Sequence, residues 1–263
     1  MLLRRMFSRK WFVATLLVIA GTLVLIRLGI WQLDRLDARQ TANAHYVEME
    51  SMPRLDLNTE IPDSLDEMEY RAATVSGEYD FENQIAVRNQ IYRDEEGEQY
   101  GDQYGYHLFT PLLFDPSTGS GQAPTAVLVD RGWIPLDGNT TPADWRKYDE
   151  PGEVKVEGVI RLGLGKPAFG GVEDSLPTSG TRLDIWNNAD VPHVADQTPY
   201  PILNIYIQQA EDANDTTPPI PSAPGFELTE GSNFGYAVQW FTFAAILFFG
   251  YPFYIRKQES TSK

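Results

Sequence analysis

The side chains best suited to bind a ligand or a partner lie where the first long apolar segment ends. Gly29, Trp31, Gln32 and Arg35 form the pattern G-x-W-Q-x-x-R. Trp prefers the membrane–water interface, and Gln and Arg can reach carbonyl groups, lipid phosphates or a propionate. Gln32 and Arg35 are three residues apart, so they share one face of a helix. The pattern predicts either a contact with a ligand or partner, or an ordinary interfacial anchor.

A second set of polar and aromatic residues lies in the last apolar segment. Tyr236, Gln239, Trp240 and Phe243 recur at helical spacing, which places them on one helix face. A polar Gln inside a membrane span usually points at a partner helix or a pocket rather than at lipid. We therefore expect the two sets either to pack on each other or to flank a flat apolar ligand.

Motifs for catalysis are absent from the sequence. It contains no Gly-rich phosphate loop, no H-E-x-x-H, no G-x-S-x-G and no paired-His spacing. It has no cysteine, which excludes disulfides, thiolate metal sites and a thiol nucleophile. His45, His107 and His193 lie far apart, and we interpret each as a surface or core residue. The sequence thus predicts no catalytic residue and no metal centre, so we expect a binding protein and not an enzyme.

Two segments that could cross a membrane bracket the chain. Residues 11–33 are apolar apart from Arg27, and residues 234–255 carry no charge. Each segment reaches the ~20 residues that a membrane-spanning helix needs. The first exceeds the apolar region of a signal peptide, and no small-x-small cleavage site follows it. We therefore expect an uncleaved anchor, and a signal peptide is the alternative.

The charges that flank these segments predict their orientation. Basic flanks of membrane helices stay in the cytoplasm. Such residues precede the first segment and follow the second: Arg4, Arg5, Arg9, Lys10, Arg256, Lys257 and Lys263. We predict cytoplasmic tails at 1–10 and 256–263 and an extracytoplasmic domain at 34–233, held in the plasma (inner) membrane.

The domain between the two segments is strongly acidic. Residues 34–233 contain 36 Asp and Glu against 13 Lys and Arg. Such a field repels nucleic acid and anionic lipid headgroups, so we expect no nucleic-acid partner. An acidic, well-solvated surface is the simplest interpretation, and a basic partner is the alternative.

Apolar residues at every second position predict six strands in this domain. The runs are rich in Val, Ile, Tyr and Thr, and they cover 71–79, 84–91, 104–114, 126–134, 154–162 and 202–208. Polar connections separate them at 93–103, 115–125, 137–152 and 163–183, and a Pro-rich tether covers 216–225. We predict two terminal transmembrane α-helices that flank a mainly β domain, antiparallel and barrel- or sandwich-like, of the α+β kind.

One strand of this domain ends in the turn VDRGWIP at residues 129–135. Gly132 would permit a β-bulge or a close backbone approach. Trp133 would cap a core. We therefore expect both residues to serve the structure before they serve a function.

These features together resemble the SURF1/Shy1 family of assembly factors for haem–copper cytochrome oxidases. The matching segments are LGIWQLDR at 28–35, Tyr70-Arg71, Val75-Ser76-Gly77, Gly105-Tyr106, Thr110-Pro111, VLVDRGWIP at 127–135, Tyr236-Ala237 and Trp240-Phe241. Their order and their placement between two terminal helices carry the resemblance, which covers nearly the whole chain.

The resemblance implies a function in cytochrome c oxidase maturation. A member of the family would bind the catalytic subunit and hold haem a during its insertion, without enzymatic activity. The residues expected to contact haem or the partner are Trp31, Gln32, Arg35, Tyr236 and Trp240. The family commonly has a histidine just before its last Tyr-Ala, where this chain has Phe234. We therefore expect no tightly bound cofactor and at most transient binding of haem a.

The alternative is a membrane-anchored extracytoplasmic binding module for another membrane-protein client, in which haem has no part. Both hypotheses require the two spans and the domain between them. They differ in the partner that the chain holds, so co-purification discriminates between them.

Overall fold

The computed structural model describes residues 6–92, 103–116, 125–163, 174, 182–212, 217–222, 225–226 and 228–261. The described chain forms two compact units. We call Met1–His45 with Glu227–Lys263 the helix pair, and Tyr46–Phe226 the β domain. The connections predicted at 93–103, 115–125 and 163–183 lie largely outside the described residues.

The elements follow one another along the chain with β-strands between two long helices. They are α1 (Phe12–Ser51), β1 (Leu55–Asp56), β2 (Ala72–Tyr79), β3 (Ile85–Tyr92), β4 (Gln103–Phe114), β5 (Thr125–Pro135), α2 (Pro142–Trp145), β6 (Glu153–Arg161), β7 (Ile185–Trp186), α3 (Val191–Ala195), β8 (Ile202–Gln209) and α4 (Asn233–Thr261).

The helices α1 and α4 are both long and apolar enough to cross a membrane, which confirms the two predicted candidate spans. Helix α1 has 40 residues, so it is about 60 Å long at 1.5 Å per residue. It continues past residue 33 because the next stretch has helix-forming composition with no Gly or Pro before Pro53. His45 therefore lies on the same continuous helix as the candidate span.

The β domain is built on a ring of strands. Within the described residues, β2, β6, β8, β5 and β4 pair in that order. The ring closes where β4 returns to β2, through the pairs Glu78–Leu113 and Tyr79–Leu112. Strand β3 pairs with β4 over residues 103–109, before the part of β4 that pairs with β2, and β7 pairs with β3. The mainly β, barrel-containing architecture confirms the predicted fold class.

One pair in the ring differs from the rest. Strands β5 and β8 are parallel, whereas the other four pairs of the ring are antiparallel. A parallel pair needs a long connection rather than a hairpin. Here the chain between β5 and β8 includes β6, β7 and two short helices.

The interior of the ring is apolar because alternate residues of each strand point inward. Val127 and Val129 of β5 and Ile205 and Ile207 of β8 are buried there, each with no exposed surface. Strand β5 is buried on both faces. One face lines the interior of the ring, and the other packs against residues of β3 and α2. The six strands predicted from period-2 alternation are all confirmed, each within two residues at either end.

The β domain begins and ends at an aromatic cluster. The rings of Tyr46 and Phe226 are stacked with centroids 4.5 Å apart and planes 2° apart. The ring of Tyr70 is tilted against both, at 5.1 Å and 5.2 Å. The chain therefore enters and leaves this domain at one place.

Candidate functional site

The helix pair packs through small side chains. On α1, Thr15, Thr22 and Gly29 are buried at seven-residue intervals. The facing positions on α4 repeat the same interval with two small residues, Ala237 and Ala244, and one large residue, Tyr251. Small residues let membrane helices approach closely, which favours their association in lipid. A Cβ added at Gly29 would lie 2.7 Å from the Phe241 ring, so the glycine of the first motif is a packing position.

Polar contacts support this packing at both ends of the helix pair. The hydroxyl groups of Thr15 and Tyr251 lie 2.8 Å apart. The indole N–H of Trp11 donates to Glu259 at 3.2 Å. At the opposite end the Gln40 amide donates to Glu230 at 3.1 Å. These contacts fix the register of the two helices.

The residues predicted on α1 lie outside that packed seam. Trp31 is 43% exposed, and the Arg35 guanidinium lies 5.4 Å from its ring centroid. The side-chain oxygen of Gln32 is buried and has no hydrogen-bond donor among the described residues. A buried acceptor without a donor costs free energy, which makes this position unusual on α1.

The residues predicted on α4 are partly accessible as well. Tyr236 is 49% exposed, and Trp240 is half-buried with its ring 6.2 Å from that of Phe243, edge to face. Among the described residues, no hydrogen bond or ring contact joins Trp31, Gln32 or Arg35 to either of them. The helix pair instead leaves an apolar groove of about 440 Å³, which Leu23, Phe241 and Phe248 help to line.

A second candidate site lies within the β domain, where a β-bulge sets its geometry. Leu108 of β4 pairs with Gly132 of β5, whereas Phe109 pairs with Asp130, so Arg131 is the extra residue. Gly132 has φ +119°, and a Cβ there would lie 2.3 Å from the backbone of the segment opposite. The predicted bulge is confirmed, and its backbone requires glycine. The predicted turn is wrong, because β5 stays paired with β4 through the bulge as far as Pro135.

Beside the bulge lies a cleft of about 500 Å³ that contains a histidine–aspartate pair. Nδ1 of His107 lies 2.9 and 3.0 Å from the two carboxylate oxygens of Asp130. The same carboxylate accepts the backbone N–H of Gly132 at 3.1 Å. The side chains of His107 and Asp130 are only 13% and 7% exposed. His107 is therefore the partner of Asp130 rather than an isolated surface or core histidine.

The electrostatics of this pair favour a charged imidazole. Burial alone lowers the pKa of His107, but the charge of Asp130 and its hydrogen bond raise it further than burial lowers it. The net pKa lies above the ordinary value of 6.5. Because Nδ1 donates to Asp130, Nε2 is the ring nitrogen left for another group.

Aromatic side chains form two walls of the cleft. The rings of Tyr92 and Trp133 are stacked 5.0 Å apart, and those of Phe109 and Tyr206 meet edge to face at 5.2 Å. Trp133 is 1% exposed, which confirms its predicted place in the core. Burial raises the pKa of Tyr206 to about 12, so its phenol stays neutral.

Arg161 supplies the second cation of the cleft. Its guanidinium donates to Gln208 at 2.7 Å and to Glu69 at 3.2 Å, and it lies 4.9 Å from the Tyr70 ring centroid. These contacts hold Arg161 in place and partly neutralise its charge.

Arg131, the residue extruded by the bulge, is buried on the other side of β5 and is 2% exposed. It donates to the Tyr148 carbonyl at 2.5 Å and to Glu150 at 2.6 Å, and it lies 4.9 Å from the Tyr79 ring centroid. Sequence reasoning missed this network and the His107–Asp130 pair, because both depend on residues that are distant in the chain.

The other histidines show different surroundings. His193 lies in α3, and its Nδ1 donates to Asp190 at 2.7 Å, with half of its side chain exposed. His45 lies on α1, half-buried. Among the residues that the structure describes, no three His, Asp or Glu side chains are grouped so that they could hold a metal ion.

Along the chain, two candidate membrane spans flank a barrel-containing β domain that contains a cleft. The model of the SURF1 family matches residues 19–245. Because this match covers most of the chain, the chain belongs to the SURF1 family.

Individual relatives agree with this assignment. A SURF1-like protein of Rickettsia bellii (strain RML369-C) is 24% identical over 247 residues, which cover 93% of this chain and 92% of the relative. A SURF1-like protein of Caenorhabditis elegans is 23% identical over 251 residues, which cover 91% of this chain and 73% of the relative. The similarity therefore extends over both candidate spans and the β domain.

Proposed function

We propose that this chain is an assembly factor for haem–copper cytochrome c oxidase that binds the catalytic subunit and, transiently, haem a. Membership of the SURF1 family over residues 19–245 carries this proposal. The chain acts by holding its partner in place and catalyses no reaction. In this function α1 and α4 are membrane spans, both termini are cytoplasmic and the β domain is extracytoplasmic.

The exposed aromatic and basic residues near residue 31 are the proposed contact for the oxidase subunit. Trp31 and Arg35 form a cation–π pair, and both are open to a neighbour. Large aromatics and arginine concentrate at the centres of protein interfaces, where they contribute most of the binding free energy. Tyr236 on α4 offers a further exposed aromatic surface.

The partner is tested by co-purification of the full chain with the candidate oxidase subunit from detergent-solubilised membranes. We expect Trp31→Leu to reduce the yield of the complex several-fold, because it removes the anchor of the contact. Phe253→Leu is the matched control, since Phe253 is an aromatic residue on α4 that is 71% exposed. Recovery of an unrelated membrane protein in place of the oxidase subunit would support the alternative client.

The orientation is tested separately. Tags fused to either terminus should be accessible only from the cytoplasm, and a reporter inserted at 93–103 only from the other side. A reporter at 93–103 that is found in the cytoplasm would contradict the proposed topology.

Haem fits the helix pair only in part. The groove between the helices supplies apolar burial, and Arg27 and Arg35 could bind propionates by charge-assisted hydrogen bonds. Residues 11–33 and 234–255 contain no histidine, the usual axial ligand of haem iron. We therefore expect the groove to hold haem a by apolar contact, with no strong axial bond from this chain.

A titration of the purified full chain with haem in detergent tests this expectation. Weak binding without a low-spin spectrum is the expected result. A stable low-spin spectrum that is lost in His107→Ala or His193→Ala would instead place the haem in the β domain.

A further inference from the structure

The cleft of the β domain has the properties of a ligand site that the proposed function does not use. Its volume of about 500 Å³ lies within the range of small-molecule pockets, roughly 300–1,000 Å³. All of its lining residues belong to the β domain, so the site is complete without the helix pair.

The buried His107–Asp130 pair is difficult to explain as a source of stability. Burial of two ionisable groups costs free energy that a well-packed apolar pair would not, so such a pair is weak evidence for a stabilising function. Ionisable groups with displaced pKa values that face a cleft are instead typical of functional sites. Nε2 of His107 has no hydrogen-bond partner among the described residues, and the residue lines the cleft.

The geometry of the pair selects the charge of the ligand. Asp130 holds Nδ1–H with both of its oxygens, which stabilises the imidazolium form. In that form Nε2–H is a donor to an anion. A carboxylate is the anion that fits, because it accepts one charge-assisted hydrogen bond with an oxygen atom while its body extends into the cleft.

The other ionisable groups of the cleft limit the ligand to a single negative charge. Arg161 is already bound to Glu69 and Gln208. Tyr92 and Tyr206 are phenols, and Glu211 is an acid on the lining. Because Arg161 is already paired, the described lining offers His107 alone as an available cationic donor, so a dianion is disfavoured.

The walls select the shape of the ligand. The rings of Tyr92 and Tyr206 are half-buried at the cleft and contact the buried rings of Trp133 and Phe109, so the two tyrosines present the aromatic surface on which a flat body can pack. We propose that this cleft binds a planar, largely apolar molecule that carries one carboxylate, with His107 Nε2 as the donor to that carboxylate.

The test uses the full chain in lipid nanodiscs, with 2-naphthoate as the probe and 2-naphthamide as its uncharged counterpart. Binding is measured by calorimetry, and the signal from empty nanodiscs is subtracted. We expect naphthoate to bind about tenfold more tightly than naphthamide at about pH 6. This preference should decline as the pH is raised further, because His107 then loses its proton. Equal binding of the two probes at both pH values would overturn the proposal.

Two variants and one control locate the site. His107→Gln should abolish the preference for naphthoate, whereas His193→Gln should leave it unchanged, although His193 also pairs with an aspartate. Gln90→Trp should fill the cleft and weaken the binding of both probes, while the His107–Asp130 pair remains. This variant keeps the test valid if His107→Gln does not fold. Undiminished binding of naphthoate to Gln90→Trp would contradict the site. Failure of this experiment would leave the oxidase experiment untouched, because that experiment depends on the helix pair.

Discussion

The helix pair is packed internally through mostly small residues, whereas the β domain is packed internally around large ones. In the helix pair the contact positions are small, with Thr22, Gly29 and Ala244 among them. In the β domain the largest buried side chains are Trp133, Trp145 and Trp186. Lipid is as apolar as a leucine side chain, so helices gain little by burial and associate through close approach. In water, burial of a large apolar surface lowers the free energy, and the tryptophan side chains of the β domain are buried in this way.

The largest effect should come from emptying a tryptophan site. Trp133→Ala should lower the free energy of unfolding of the β domain by about 3–5 kcal/mol, the usual loss for a large buried aromatic residue. Urea unfolding of the full chain in detergent, followed by circular dichroism, measures it. The control is Trp31→Ala on the exposed face of α1, which should change stability by less than about 0.5 kcal/mol. Similar losses in both variants would show that burial is not the cause.

A smaller effect should follow from adding a methyl group at the bulge. Gly132→Ala should cost about 1–3 kcal/mol from its backbone conformation alone, and more from the clash with Ile220. Gly152 also has positive φ, at +103°, but a Cβ there meets nothing within 4 Å. The loss in Gly132→Ala should therefore exceed that in Gly152→Ala by the contribution of the clash. Equal losses in the same urea experiment would mean that the segment opposite moves away freely.

In the helix pair, a glycine-to-alanine substitution should change helix association rather than the stability of the β domain. Gly29→Ala should weaken the association of α1 with α4 by about 1 kcal/mol, because its methyl group overlaps the Phe241 ring. Thiol cross-linking of a Gln40→Cys/Glu230→Cys pair should slow, and the chain's lack of cysteine makes this pair unique. Gly235→Ala, where a Cβ meets nothing within 4 Å, is the control. The unfolding of the β domain should be the same in both.

The smallest effect should be a pH dependence of stability. The pKa of His107 is raised in the folded state, so its pairing stabilises the fold fully below about pH 6.5, and the contribution disappears as the pH rises through the folded pKa. The difference in unfolding free energy between the wild type and His107→Gln should therefore be larger at about pH 6 than at about pH 8. His193→Gln should show a weaker trend in the same direction, because its pair with Asp190 is exposed to solvent. A difference that grows with pH would contradict the assigned direction.

Local patterns in the sequence were sufficient to predict the elements of this fold. Alternation at every second residue located all six long strands, and the lengths of the apolar runs located both candidate spans. The parallel pairing of β5 with β8 could not be predicted in this way, because it joins segments separated by two other strands and two short helices. Gly132 and Trp133 were predictable because a glycine within a strand pattern indicates a bulge and a large aromatic residue favours burial.

The site residues were harder to predict, for a physical reason. His107 and Asp130 are 23 positions apart and meet only because the bulge shifts the register of β5 against β4. The packed seam of the helices was predictable in principle, because Thr15, Thr22 and Gly29 recur at seven-residue spacing. The residues predicted on α1 were instead large or polar. Whether Trp31, Gln32, Arg35, Tyr236 and Trp240 bind haem or the oxidase stays a prediction.

The stacked rings of Tyr46 and Phe226 give the β domain a modular character. The first and last residues of this 181-residue unit lie side by side, with ring centroids 4.5 Å apart. A unit whose ends meet can be cut out or inserted elsewhere with little disturbance to its interior. The segment 46–226 can therefore be joined to the ends of a short loop in an unrelated host protein, where the aromatic pair would close the junction.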